Sequence, residues 1–171
     1  MTSPTTSDDG PPAPDCSQPV YLSGLDLHGR RVLVVGAGRV ASRRIPRLLE
    51  AGALVEVVAP QASEHVEALA RQGRLAWHQR CATAQDIDGA WYVMVATADP
   101  EANEAISAAA QRARIFCVRA DLASRGTAWT PATTRIGDFT VGVVGNRDPH
   151  GSMELRRRIV EALAETPPDA D

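Results

Sequence analysis

Residues 31–60, RVLVVGAGRVASRRIPRLLEAGALVEVVAP, restrict the fold more than any other stretch of this sequence. Residues 32–35 form an apolar, largely β-branched run of the kind that makes a strand buried on both faces. Gly36-Ala37-Gly38 then turns the chain. From Arg39 to Ala51 the spacing is helical, with Ala41, Ile45, Leu48 and Gly52 on one face, and Gly52 supplies the stop. Leu54–Val58 is a second β-branched run. The predicted order is strand, glycine turn, helix, strand. Pro46 falls inside the helix, where it removes a hydrogen bond and is expected to kink it.

The glycines follow the pattern Gly36-x-Gly38-x-x-Ala41. The first permits the tight turn, the second leaves room for a pyrophosphate at the backbone, and the small Ala41 lets helix pack on strand. Amides and dipole at the helix start complete an anion site. A glycine pattern alone is weak, but here the flanking strand and helix that dinucleotide binding requires are both present. The usual ribose-binding acid, about 20 residues on, is missing. The second strand ends Val57-Val58-Ala59-Pro60-Gln61, Glu56 comes too early to reach the crevice, and no arginine follows closely to hold a 2′-phosphate. The ribose is left to backbone near Pro60 and the Gln61 amide, which favours NAD over NADP.

The 171 residues suffice for one domain with a small appendage, and 44% hydrophobic residues supply a core. No apolar run is long enough to span a bilayer and the N-terminus has no apolar signal core, so a cytoplasmic protein is the default expectation. The net charge of −3, without a basic run, gives no reason to expect nucleic acid as partner. Cys16, Cys81 and Cys117 show no CxxC spacing and read as reduced thiols, not as a zinc site or disulfide frame.

Residues 1–19, rich in proline among Ser, Thr and Asp, read as a disordered leader. Residues 21–25 suggest an extended piece beside the sheet. A helix over 62–72 is predicted from Val66, Leu69 and Ala70, then an edge strand over 75–80, a turn over 86–89 and a central strand over 90–96. Asp99 and Pro100 open a helix that runs to Arg112, and residues 115–118 form a fifth strand. Alternating strands and helices imply an α/β, Rossmann-type, doubly wound parallel sheet over residues 20–122. Two further strand-like segments, 126–130 and 139–144, flank a turn at Arg135-Ile136-Gly137-Asp138. A loop over 145–151 precedes a final helix over 152–164, and a polar tail follows over 166–171. Residues 123–165 are too few to bury a separate core and are expected to pair with a second copy of the chain.

The order and spacing of these segments resemble the N-terminal domain of siroheme synthases, the precorrin-2 dehydrogenase/sirohydrochlorin ferrochelatase family. The matching residues are Tyr21-Leu22 and Leu25, then VVGAGRVASRR over 34–44, LEAGA over 49–53, Val58-Ala59-Pro60, Ala96-Thr97-Ala98-Asp99 with Asn103, and IFCVRAD over 115–121. The missing ribose acid is usual in that family. The resemblance implies a homodimer that oxidises precorrin-2, a tetrapyrrole, to sirohydrochlorin with NAD as hydride acceptor, with insertion of ferrous iron or another divalent metal in some members. It places Gly36, Ala37, Gly38, Arg39, Val40, Pro60, Gln61 and Thr97 against NAD, and makes Asp121 the catalytic candidate. Asp121 also follows the fifth strand, at the sheet edge where such folds bind ligands, and a carboxylate there suits a reaction that releases a proton.

The family's Gly-Ser/Thr-Ser-Pro-like run before the last helix is replaced here by Asn146-Arg147-Asp148-Pro149-His150-Gly151-Ser152. Arg147, His150 and Ser152 are the candidates for substrate contact in this altered loop. Arg43-Arg44 and Arg156-Arg157-Arg158 are either a positive rim for a polycarboxylate or solvated helix faces. Trp129 is either packing or a wall for a flat ligand. The four histidines show no metal-ligand spacing, and Cys117 reads as packing. A different class of function also fits the pattern: a non-catalytic or repurposed Rossmann protein that holds a tetrapyrrole, a metal or another small substrate.

Overall fold

The computed structural model describes residues 19–145 and 148–165. The expected leader up to residue 18, the tail, Cys16 and Arg147 lie outside them. Five strands, β1 (Arg31–Val35), β2 (Leu54–Val58), β3 (Ala76–His78), β4 (Tyr92–Val95) and β5 (Phe116–Arg119), form a parallel sheet in the order β3-β2-β1-β4-β5. Helices α1 (Arg39–Glu50), α2 (Glu64–Arg71) and α3 (Pro100–Arg112) connect strands, and a 3₁₀ turn over Ala84–Ile87 lies between β3 and β4. An antiparallel hairpin, β6 (Ala132–Ile136) and β7 (Phe139–Val143), carries α4 (Pro149–Glu165) against it. This is an α/β Rossmann-like fold with a small two-stranded extension.

Strand periodicity explains the layers. Alternate side chains point to opposite sheet faces. Val32 and Val34 of β1 join Ala41 and Ile45 of α1 and Val66 and Leu69 of α2 on one face. Leu33 and Val35 join Ile106, Ala109 and Ala110 of α3 on the other. Each fully buried Val, Leu or Ile contributes about 1.5–3 kcal/mol. The β1/β4 neighbours mark where the strand order reverses, and such folds bind ligands at that switch point, beyond the carboxyl ends of the strands.

Several expectations are corrected. The segment 126–130 is no strand: the amides of Thr127 and Ala128 both donate to Cys117 O, at 2.9 and 3.1 Å, and a Cβ on Gly126 would lie 2.8 Å from that same oxygen. The chain is pinned to one point of β5 and forms no ladder. Strand β6 begins only after Pro131, so Arg135 and Ile136 close the strand and the turn is Gly137-Asp138 alone, with Gly137 at φ +56. A glycine-first two-residue turn suits a hairpin. Helix α4 starts at Pro149, not Ser152, because the Asp148 carboxylate accepts from the Gly151 amide at 2.8 Å and proline suits the first helical position. His150 therefore stands in a helix and not in a loop. Helix α1 continues through Pro46 to Glu50. Tyr21, 90% exposed, borders a groove along the β5 edge with Tyr92 and Phe116.

Candidate functional site

The glycine turn joins β1 to α1 where the sheet order reverses. Gly36 has φ +96, and a Cβ there would sit 2.5 Å from Ala96 O as the chain leaves β4. Its amide donates to Val58 O at 3.0 Å, so the turn is wedged between its two neighbouring strands. Gly38 differs, because a Cβ there would meet nothing within 4 Å. It is the N-cap of α1, no side chain caps that helix, and the first turn holds no acid. The leading amides and the positive helix end thus face open space, an arrangement that fits a pyrophosphate. Ala41 is fully buried, as close helix–strand packing demands.

The loop after β2 is fastened over this turn. Ser63 donates its amide to Ala37 O at 3.0 Å, and the hydroxyls of Ser42 and Ser63 meet at 2.5 Å. Pro60 and Gln61 are exposed just beyond β2. Glu56 is committed elsewhere: it pairs with Arg31 at 2.8 Å, which keeps its carboxyl below the usual range. Thr97 follows β4 beside the glycine turn. Its hydroxyl contacts Asn103 Oδ1 at 2.8 Å, and Asn103 Nδ2 donates to Thr97 O at 3.1 Å. Asn103, 1% exposed, thereby fixes the exit of β4. The residues at this edge fit a dinucleotide: Gly36, Ala37 and Gly38 shape the cradle, Arg39 and Val40 open the helix, and Pro60, Gln61 and Thr97 border it.

Asp121 is held in an ion-pair network that the sequence reading missed. Arg119, at the end of β5 and 4% exposed, donates through Nε and Nη2 to the two Asp121 oxygens at 2.9 and 2.7 Å. Its Nη1 reaches Glu104 Oε2 at 2.8 Å and Ser107 Oγ at 3.0 Å. The Arg119 guanidinium holds the Asp121 carboxyl well below the usual carboxylate range against the effect of burial, with help from Asn103. The signals were in the sequence, since Arg119 and Asp121 are two apart and Glu104 and Ser107 three apart on a helix. Pairing α3 with β5 required the fold. Cys117 is buried, its thiol pushed up to about 12 by that burial, which leaves it inert.

Between α1 and the β6–β7 hairpin lies a cleft of about 400 Å³, within the size range of ligand pockets. Ala120 and Ala123, on either side of Asp121, line it, as do Arg43, Arg44 and Arg47 of α1. Of the substrate-contact candidates, Ser152 lines this cleft, but its hydroxyl is bound to Asp148 O and Gly145 N, both at 2.7 Å. His150 is exposed and does not line it. Arg147 is outside the described residues. No group of three or more His, Cys, Asp or Glu that could hold a metal ion occurs among the described residues, and no described helix is long and apolar enough to cross a membrane.

Comparison with known proteins agrees with this geometry. The family model described as "Putative NAD(P)-binding" matches residues 24–132. The siroheme synthase of Xylella fastidiosa is 33% identical over 138 residues, covering 78% of this chain and 29% of that protein. The siroheme synthase of Pseudomonas entomophila is 35% identical over 136 residues, covering 80% and 29%. The chain thus spans under a third of the length of these curated relatives. The solved structure of SirC, a precorrin-2 dehydrogenase, superposes with a TM-score of 0.69 at 30% identity, covering 88% of this chain and 72% of that one. The turn at Gly36–Gly38, the open start of α1 and the strand order all lie within the matched residues, and the chain belongs to this NAD(P)-binding family.

Proposed function

We propose that the protein is an NAD-dependent dehydrogenase of precorrin-2, forming sirohydrochlorin in siroheme or cobalamin supply. The observation that carries this reading is the superposition on a precorrin-2 dehydrogenase, which extends over 88% of the chain and so is not confined to the dinucleotide-binding part. NAD is favoured over NADP because no arginine follows β2 closely to hold a 2′-phosphate. When bound, the nicotinamide supplies the hydride acceptor; the chain's own residues position it and its partner.

Dehydrogenation removes a hydride and a proton. Asp121 remains the catalytic candidate, in a role set by Arg119. A carboxylate held below its usual range is a weak base but a constant negative charge, placed to oppose the positive charge that grows as hydride departs. The proton then leaves to solvent. Residues 20–122 serve the dinucleotide and residues 123–165 the substrate and a second copy of the chain, for which exposed Phe139 of the hairpin is the natural contact. Of the candidates before and at the start of α4, Ser152, which lines the cleft, is the one the reading keeps as a secondary substrate contact.

The test is anaerobic incubation with precorrin-2 and NAD, following NADH absorbance and the sirohydrochlorin spectrum. Turnover that drops at least a hundredfold in Asp121→Asn, with NAD affinity retained, is the expected result. An absence of turnover in a protein that binds NAD would instead favour a carrier or a dehydrogenase of another substrate.

A further inference from the structure

We propose that the cleft between α1 and the β6–β7 hairpin recognises carboxylate groups of the ligand, with half-buried Arg44 as its anchor and Arg43 and Arg47 as its rim. The proposal deepens the dehydrogenase reading and rests on it only for the identity of the ligand.

Three arginines of one helix converge on this cleft, and among the described residues no carboxylate pairs with any of them. Arg43 and Arg47 are four residues apart, so they share a face of α1. Arg47 reaches across to the hairpin, where its Nη1 donates to Thr133 Oγ1 at 2.9 Å. Arg44 is drawn inward, and its Nη1 is buried with no hydrogen-bond partner among the described residues. Burial lowers its pKa, and the neighbouring Arg43 charge adds to the effect, while Tyr92 opposes it. A buried guanidinium nitrogen without a partner is costly, and that cost is relieved when an anion arrives.

The other charges of the cleft are already used. Arg119 is bound to Asp121 and Glu104, and Asp148 holds the Gly151 amide at the start of α4. The excess positive charge therefore belongs to the three α1 arginines. Carboxylate fits better than phosphate. The phosphate-type cradle on α1 is at Gly38, a turn earlier and outside this lining, whereas Trp129, Pro131, Val144 and Met153 give the cleft the apolar walls of an organic ligand. An arginine fork matches the two oxygens of a carboxylate, which a lysine cannot reproduce.

The test is a fluorescence titration of the whole chain with uroporphyrin, an octacarboxylate, at two salt concentrations. Arg44→Met is expected to weaken binding at least tenfold, with Arg44→Lys intermediate and NAD affinity within twofold of the parent. The exposed pair Arg43→Gln/Arg47→Gln is expected to weaken binding at least threefold and flatten its salt dependence. Porphyrin affinity unchanged in these variants would overturn the assignment. So would displacement of the porphyrin by inorganic pyrophosphate at equal concentration, which would mark the cleft as a phosphate site. Should Arg44→Met fail to fold, the exposed pair decides alone. Porphyrin bound through these arginines without precorrin-2 turnover would uphold the cleft and remove the dehydrogenase reading.

Discussion

Two glycines two residues apart do different work, and alanine separates them. Gly36→Ala places a Cβ 2.5 Å from the Ala96 carbonyl at φ +96, so it is expected to cost about 1–3 kcal/mol of stability through backbone strain, read by urea unfolding. Gly38→Ala meets no neighbour, so its stability cost should stay within about 1 kcal/mol, that of alanine at an N-cap, while NAD affinity, read by calorimetry, falls at least tenfold. Equal effects of the two substitutions would contradict this division. Arg119 gives a pH signature. Asp121 has a depressed folded pKa, so its stabilisation is complete above its unfolded value of about 4 and is lost as pH falls through the folded one. Arg119→Met should destabilise the protein by about 1–3 kcal/mol at pH 7, the range for hydrogen bonds to charged groups. The gap to the parent should narrow when unfolding is repeated at pH 3.5. A gap independent of pH would mean that Arg119 contributes packing alone.

At the scale of elements, the exit of β4 and the start of α3 act together. Asp99 caps α3 by accepting from the amides of Glu101 and Ala102 at 3.0 and 3.1 Å, and Asn103 one turn on grips Thr97. Asp99→Ala should cost about 1 kcal/mol by cap loss. Asn103→Ala should cost about 1 kcal/mol, because the buried amide that ties Thr97 O is lost while the half-buried Thr97 hydroxyl keeps Asp99, and should also weaken NAD binding. Thermal melts with and without NAD check both. The strand–glycine–helix–strand unit was legible because its periodicity is strong and its turn residues are specific. The second hairpin strand was legible at Phe139, whereas the first lies at Ala132–Ile136 and not at 126–130, because β-propensity does not reveal that Gly126 is pressed against Cys117 O. The start of α4 is written in Asp148-Pro149, a cap followed by a proline, but the neighbouring Arg147 and His150 give the same stretch the composition of a binding loop.

For the whole molecule, the hairpin presents Phe139 at 77% exposure. Should a second copy cover this face as proposed, Phe139→Glu will convert a dimer to a monomer in sedimentation, with NAD affinity retained; a parent that sediments as a monomer would refute the pairing. The parallel α/β sheet, the glycine cradle and the position of Asp121 just past a strand follow from local residue choices, because buried strands, tight turns and helix starts each impose them. The tertiary structure alone decided that Arg119 binds Asp121, that Ser63 fastens to Ser42, and that three α1 arginines face one cleft. Those contacts join residues of different elements, and their geometry is set by how helices and hairpin pack on the sheet, which no local pattern encodes.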